Sequence, residues 1–223
     1  MRGRVMEKSN EFLKLRMNFD LFKIKHEISR SLSLLDQKLD LIKDSDVLFY
    51  RKERFSSKTP ILKFAILDFE CNPTRVVGVL IAGQIFQFYI KNQLYQRLFF
   101  DLIMEILSIL KDFYIFSFSN HEQHVIQEIS RSFNFLSTKK SQPISFIRKL
   151  KIVNVQRFSF EGLIPALYSI DKKAYDDPLL RDSKKVNLHF KKRHFELILD
   201  HNKSCLLSIL ELLKNRYLKE ILI

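Results

Sequence analysis

The run Ile61-Leu-Lys-Phe-Ala-Ile-Leu67 goes seven residues without an acid and is followed at once by two, in Asp68-Phe-Glu70. A short apolar stretch of this kind matches a strand buried on both faces, which a chain can satisfy only by placing other elements above and below it. Side chains alternate along a strand, so Asp68 and Glu70 leave the same face at its carboxyl end. Two like charges aimed together repel, and a hard divalent cation with oxygen ligands is the usual means of holding them. The constraint points to an α/β fold with a candidate site at one strand end.

The flanking segments fit that fold. Lys58-Thr-Pro60 breaks the chain just before the strand. Arg75 to Ala82 and Gln84 to Ile90, joined through Gly83, read as a hairpin. Leu94 to Leu110 reads as an amphipathic helix, Phe113 to Ser119 as an aromatic and β-branched strand, and Glu122 to Phe133 as a helix. The order is β-β-β-α-β-α, a mixed sheet flanked by helices. Upstream, apolar residues recur at helical spacing from Glu7 to Asp44, as one helix or a pair broken near Ser29, Ser31 and Ser33. Residues 1–57 are therefore assigned to an N-terminal helical extension, an arm suited to a protein partner, and 58–223 to the main domain. From Val153 onward the chain reads as mostly helical, closing with a helix from Lys203 to Tyr217.

Two further clusters fall where chemistry would be expected. Ser117-Phe-Ser-Asn-His-Glu122 follows a core strand and opens a helix, so Asn120 is a candidate cap and Glu122 lies in the first turn. Ligands of open α/β sheets collect beyond the carboxyl ends of strands, which is where Asp68, Glu70 and Glu122 would meet. Near the C-terminus, Ile198-Leu-Asp-His-Asn-Lys-Ser-Cys-Leu-Leu-Ser208 carries His201 and Cys205 one helical turn apart.

Asp-x-Glu on the first strand, Asn-x-Glu after the fourth and His-Asn on the last helix resemble, in order and spacing, the uncharacterised RNase H-like exonuclease family, relatives of the DEDD nucleases. Phe160-Glu-Gly-Leu-Ile-Pro-Ala-Leu-Tyr168 resembles the family's stretch between its second and third motifs. The resemblance, over about Ile61 to Tyr217, implies an RNase H-like sheet, with Asp68, Glu70 and Glu122 as ligands of Mg²⁺ or Mn²⁺ and His201 as general base or positioner of water. It implies a metal-dependent 3′–5′ exonuclease acting by two-metal phosphodiester hydrolysis. Cys205 departs from the pattern, standing where the family has an Asp, and a thiol is a poor ligand for Mg²⁺. Asp200 lies five positions from that seat and faces another way. The alternative is a catalytically inactive RNase H-like protein that binds nucleic acid or serves as a scaffold. A further reading joins His201 and Cys205 to Asp68 around Zn²⁺.

The formal charge of +13 bears on partners rather than on fold. Lys139 to Arg157 holds six basic and no acidic residues, and Arg181 to Arg193 six basic and one acidic. Lys139, Lys140, Arg148, Lys149, Arg181, Lys184 and Lys185 are the candidate phosphate contacts for a single-stranded nucleic acid. Phe146, Phe158 and Phe190 lie among them as candidate stacking residues. The apolar run from Ile103 to Leu110 stops far short of a membrane span. Two cysteines are too few for a disulfide framework and no signal sequence opens the chain, so a cytoplasmic, membrane-free protein is expected.

Overall fold

In the computed structural model, residues 21–40, 48–54, 63–136, 147–158, 162–169, 176–179 and 182–216 are described. A six-stranded mixed sheet forms the centre. Its strands are β1 (Leu48–Arg54), β2 (Phe64–Glu70), β3 (Val76–Ile81), β4 (Gln84–Ile90), β5 (Tyr114–Ser117) and β6 (Lys151–Asn154), in spatial order β1-β4-β3-β2-β5-β6. β2, β3 and β4 form an antiparallel meander, β1 adds antiparallel to β4, and β5 and β6 continue parallel from β2. The helices are α1 (Leu21–Asp40), α2 (Gln96–Ile109), α3 (His121–Leu136), α4 (Leu163–Tyr168), α5 (Ser183–Lys191) and α6 (Phe195–Arg216).

Strand periodicity sorts the core. On β2, Ala65, Leu67 and Phe69 point to one face, where they pack with Phe86 and Phe88 of β4 and with Phe99, Ile103 and Leu107 of α2 and Ile126 of α3. Phe64 and Ile66 point to the other face, against Leu206, Ile209, Leu210 and Leu213 of α6. Both faces are covered, which is why β2 tolerates no polar residue until its end. Phe86, Phe88, Phe99 and Phe113 are fully buried, and each such ring contributes about 1.5–3 kcal/mol by leaving water. The β3–β4 reversal uses Ala82 and Gly83, both at positive φ (48° and 75°), the twist that a two-residue hairpin requires.

Two sequence expectations change and one open alternative is settled. Leu48–Arg54 is a strand of the sheet, paired along its whole length with β4, so the boundary at 57/58 cuts off an element of the main domain. Its Arg-Lys-Glu-Arg content hid it; only a partly buried edge strand accepts so many charges. α1 runs unbroken through Ser29, Ser31 and Ser33 because its Ile28 and Leu35 are held in the core, and tertiary packing overrides weak propensity. β6 is the second change: four residues, Lys151–Asn154, pair in parallel with β5, the last two of them where the chain from Val153 onward read as mostly helical. Residues 1–20 of the predicted N-terminal helical stretch lie outside the described residues. None of the described helices is long and apolar enough to cross a membrane.

α6 begins eight residues before the expected start and crosses β2 and β3. Its close approach depends on Gly78 of β3: a Cβ there would stand 2.0 Å from Asn202 Oδ1 and 2.8 Å from Leu206 Cδ1. Asn202 has no freedom to withdraw, being fully buried and hydrogen-bonded on both sides. Gly78→Ala is therefore expected to lower unfolding stability by about 1–3 kcal/mol through overpacking, as measured by urea unfolding. An unchanged midpoint would contradict this account of how α6 docks.

Candidate functional site

The sheet register sets out the site. Asp68 is paired with Gly78, Gly78 with Gln87, and Gln87 with Arg51, so one lateral row crosses four strands on the α6 face. The missing side chain at Gly78 leaves a gap in that row, and Asn202 of α6 fills it. Its Nδ2 donates to Asp68 Oδ2 at 2.7 Å, and its Oδ1 accepts from Gln87 Nε2 at 2.8 Å. Gln87 in turn donates to the Leu199 carbonyl at 2.6 Å and accepts from Arg51 Nε at 2.9 Å. Arg51 Nη1 reaches Asp200 and Glu196 at the start of α6, which is why Asp200 belongs to the sheet edge and not to the site.

At the carboxyl end of β2, Asp68 and Glu70 border a cleft of about 650 Å³. Glu122 enters it from the first turn of α3, beyond β5, and His201, Ser204 and Cys205 enter from α6. The three acids expected to converge do so, with His201 beside them. The helix start differs from expectation in detail: Ser119 Oγ accepts from the His121 N–H at 3.1 Å and is 3.4 Å from Glu122 Oε2, while Asn120 spends its side chain on Asn154 of β6. Directly after Glu70 the chain takes a left-handed conformation at Cys71 (φ 74°), a local cost of the kind that often accompanies functional sites.

A fourth acid, Asp177, arrives from between α4 and α5. Both its carboxylate oxygens lie within hydrogen-bond distance of His201 Nδ1, at 2.9 and 2.8 Å, and its side chain is almost wholly buried. Nothing at Asp176-Asp177-Pro178 pointed to it, because a loop acid before a proline is an ordinary turn signal. The contact commits Nδ1 and turns Nε2 toward Glu70 Oε1, 3.4 Å away. Glu70, His201 and Cys205 each offer one ligand atom, all within 4.8 Å of one another. Where a zinc set of Asp68, His201 and Cys205 was one reading of the sequence, the carboxylate that joins His201 and Cys205 is Glu70; Asp68 is turned to Asn202.

Burial perturbs Asp68, Glu70 and Glu122. Desolvation raises Asp68 well above the ordinary carboxyl range, with Glu70 adding to the shift and His201 and Asn202 opposing it. Glu70 and Glu122 are each raised to about 8, first by burial; Asp68 adds to the shift at Glu122. Burial also pushes the Cys205 thiol far up, with four surrounding carboxylates reinforcing it. A cation in the cleft would oppose these shifts, and oxygen, nitrogen and sulfur donors are all present to hold one. The residues thus fit a bound divalent ion.

The basic residues divide. Lys184 of α5 lines the cleft together with Asn187, and Lys185 beside it is 3.9 Å from Asp182. Arg148 and Lys149 are exposed on a turn before β6 and do not line the cleft. Lys139, Lys140, Arg181 and Phe146 lie outside the described residues, as does the side chain of Phe158. Phe190 is buried with Arg75 stacked 4.7 Å from its ring centre, so it is unavailable to a base. Comparison with known protein families, curated proteins and solved structures finds no match for this chain.

The raised carboxyls carry a stability signature. Unfolded, Glu70 and Glu122 titrate near their ordinary value of 4.5; folded, they titrate at about 8. Between these values the native state holds protons that the unfolded chain has released, so their contribution is full below about 4.5 and is lost as pH rises through about 8. The metal-free protein should melt at a lower temperature at pH 8 than at pH 5, and Glu122→Gln should flatten the slope. Differential scanning calorimetry across that range reads it, and a melting temperature that rises with pH would contradict the assignment.

Proposed function

We propose that this chain is a divalent-metal-dependent phosphodiester hydrolase of the RNase H-like, DEDD-type class, acting on single-stranded nucleic acid. The observation that carries the reading is the convergence of Asp68, Glu70 and Glu122 beyond the carboxyl ends of two adjacent parallel strands, in a cleft that also admits Lys184. The order β4-β3-β2-β5-β6, an antiparallel meander continued by two parallel strands, supports the RNase H-like assignment. The 3′–5′ direction rests on the sequence resemblance alone.

Bound at these carboxylates, divalent ions such as Mg²⁺ or Mn²⁺ would supply charge stabilisation for the phosphate and lower the pKa of the attacking water. The chain's own contributions follow from its geometry. Asp68 is held in one orientation by Asn202, and Glu122 is anchored at the start of α3 by Ser119. Lys184 presents a positive charge at the cleft for a backbone phosphate. His201 has only Nε2 free of the Asp177 contact, and that nitrogen faces Glu70 inside the cleft. Four carboxylates are present even though Cys205 stands where the resemblance expects an Asp, since Asp177 supplies one from another element.

In an assay on end-labelled single-stranded DNA and RNA with Mg²⁺ or Mn²⁺, the protein should shorten substrate from the 3′ end. Asp68→Asn and Glu122→Gln should each lower the rate by at least about 100-fold, the scale for losing one preorganised charge-stabilising group. Cys205 in the fourth seat is the observation that favours the inactive alternative, and the absence of any Asp68-dependent cleavage would decide for it. Binding to single strands, read by fluorescence anisotropy, should weaken steeply as salt rises and lose part of that slope in Lys184→Ala. Salt-insensitive binding would point to a protein partner instead.

A further inference from the structure

The contacts of His201 distinguish its two ring nitrogens. Nδ1 stands 2.8 Å from Asp177 Oδ2, a charge-assisted hydrogen-bond distance. Nε2 stands 3.4 Å from Glu70 Oε1, too long for such a bond. It is instead the separation of two ligands sharing a tetrahedral ion, about 3.4 Å for bonds of about 2.1 Å. Cys205 Sγ lies within 4.8 Å of a ring nitrogen of His201 and a carboxylate oxygen of Glu70, so joining the set asks of it a shift on the order of an ångström. We propose that Glu70, His201 and Cys205 form a binding site for one zinc-class ion, with Asp177 as the residue that orients His201.

The donor set argues for this class of ion. Mg²⁺ demands six hard oxygens in octahedral array, whereas a carboxylate, an imidazole and a thiolate match a borderline-soft ion that accepts four mixed ligands. A carboxylate on the second nitrogen of the histidine is the usual companion of metal-bound imidazole, because it fixes the tautomer and the ring plane. Asp177 holds that position and is drawn from a different part of the chain than Glu70 or His201. Three protein ligands leave a fourth position open, the pattern of zinc sites that act on a substrate rather than of closed structural ones. Asp68 and Glu122 remain as an all-oxygen pair for a hard ion, so the cleft offers two seats of different chemistry. This makes His201 a ligand and removes it as a base. The zinc seat shares Glu70 with the nuclease reading but does not depend on it, since it requires only that the three ligands meet.

The test uses the full chain, stripped with chelator and titrated with Co²⁺ and with Zn²⁺ against a chromogenic competitor. One equivalent of Co²⁺ should give the intense visible bands of tetrahedral coordination and a near-ultraviolet thiolate-to-cobalt charge-transfer band. Cys205→Ala should abolish the charge-transfer band and weaken Zn²⁺ by more than about 100-fold, whereas Asp177→Asn should weaken it by about 10–100-fold, as expected of an orienting partner. Glu122→Gln and Cys71→Ala should leave the band in place. A wild-type spectrum with no charge-transfer band overturns the proposal, and that measurement needs no variant to fold. A band lost in Cys71→Ala but kept in Cys205→Ala overturns it as well. Zinc binding by a protein that cleaves nothing would uphold this site and sink the nuclease reading; Mg²⁺-dependent cleavage without the cobalt band would do the reverse.

Discussion

Everything in the cleft depends on one close approach, that of α6 to β3 at Gly78. Because no Cβ occupies that point, Asn202 drops into the lateral row formed by Asp68, Gly78, Gln87 and Arg51 and completes it from outside the sheet. A polar row across an otherwise apolar face would be costly if any member lacked a partner. Here each amide donates toward one neighbour and accepts from the other, so Gln87 and Asn202 are both satisfied between Arg51 and Asp68. The same docking carries His201 and Cys205, neighbours of Asn202 on α6, to the end of β2. One glycine thereby sets the depth at which a helix delivers three side chains.

The site pits electrostatics against packing. Asp68, Glu70, Glu122 and Asp177 share one cleft with the buried His201 imidazole, and hydrophobic clusters on both faces of the sheet hold them there. Metal-free, the arrangement is tolerable only because protons are retained at unusually high pH. Elsewhere among the described residues acids meet bases: Arg51 contacts Glu53, Glu196 and Asp200 near the surface, and Lys203 pairs with Glu53. Several buried acids with raised pKa values gathered in one cleft are the pattern expected of a site built for a cation.

Strong local signals were legible in the sequence. The acid-free run into Asp68-Phe-Glu70, the Gly83 reversal and the position of Glu122 after the fifth strand each have a mechanism that acts within a few residues, and each led to the correct element. β1 and β6 were not legible, because both are edge strands, β1 rich in charge and β6 only four residues long, whose identity comes from pairing with β4 and β5. Asp177 was hidden for a related reason: its meaning arises only from contact with His201, 24 residues away. Asn202 read as one more polar helix residue until Gly78 gave it a place to go.

The contact between Asn202 and Asp68 spans 134 residues, so it belongs among the slowest of the chain to form, when loop-closure entropy weighs most heavily. The β2–β4 meander needs only local pairing and can assemble while Asp68 and Glu70 still face water, where their repulsion is weak. Water leaves the carboxylates only when α6 lies down over Gly78. The least favourable burial is thus tied to the docking of a single helix, and an ion that binds the cleft would stabilise that docked helix rather than the locally paired β2–β4 meander beneath it.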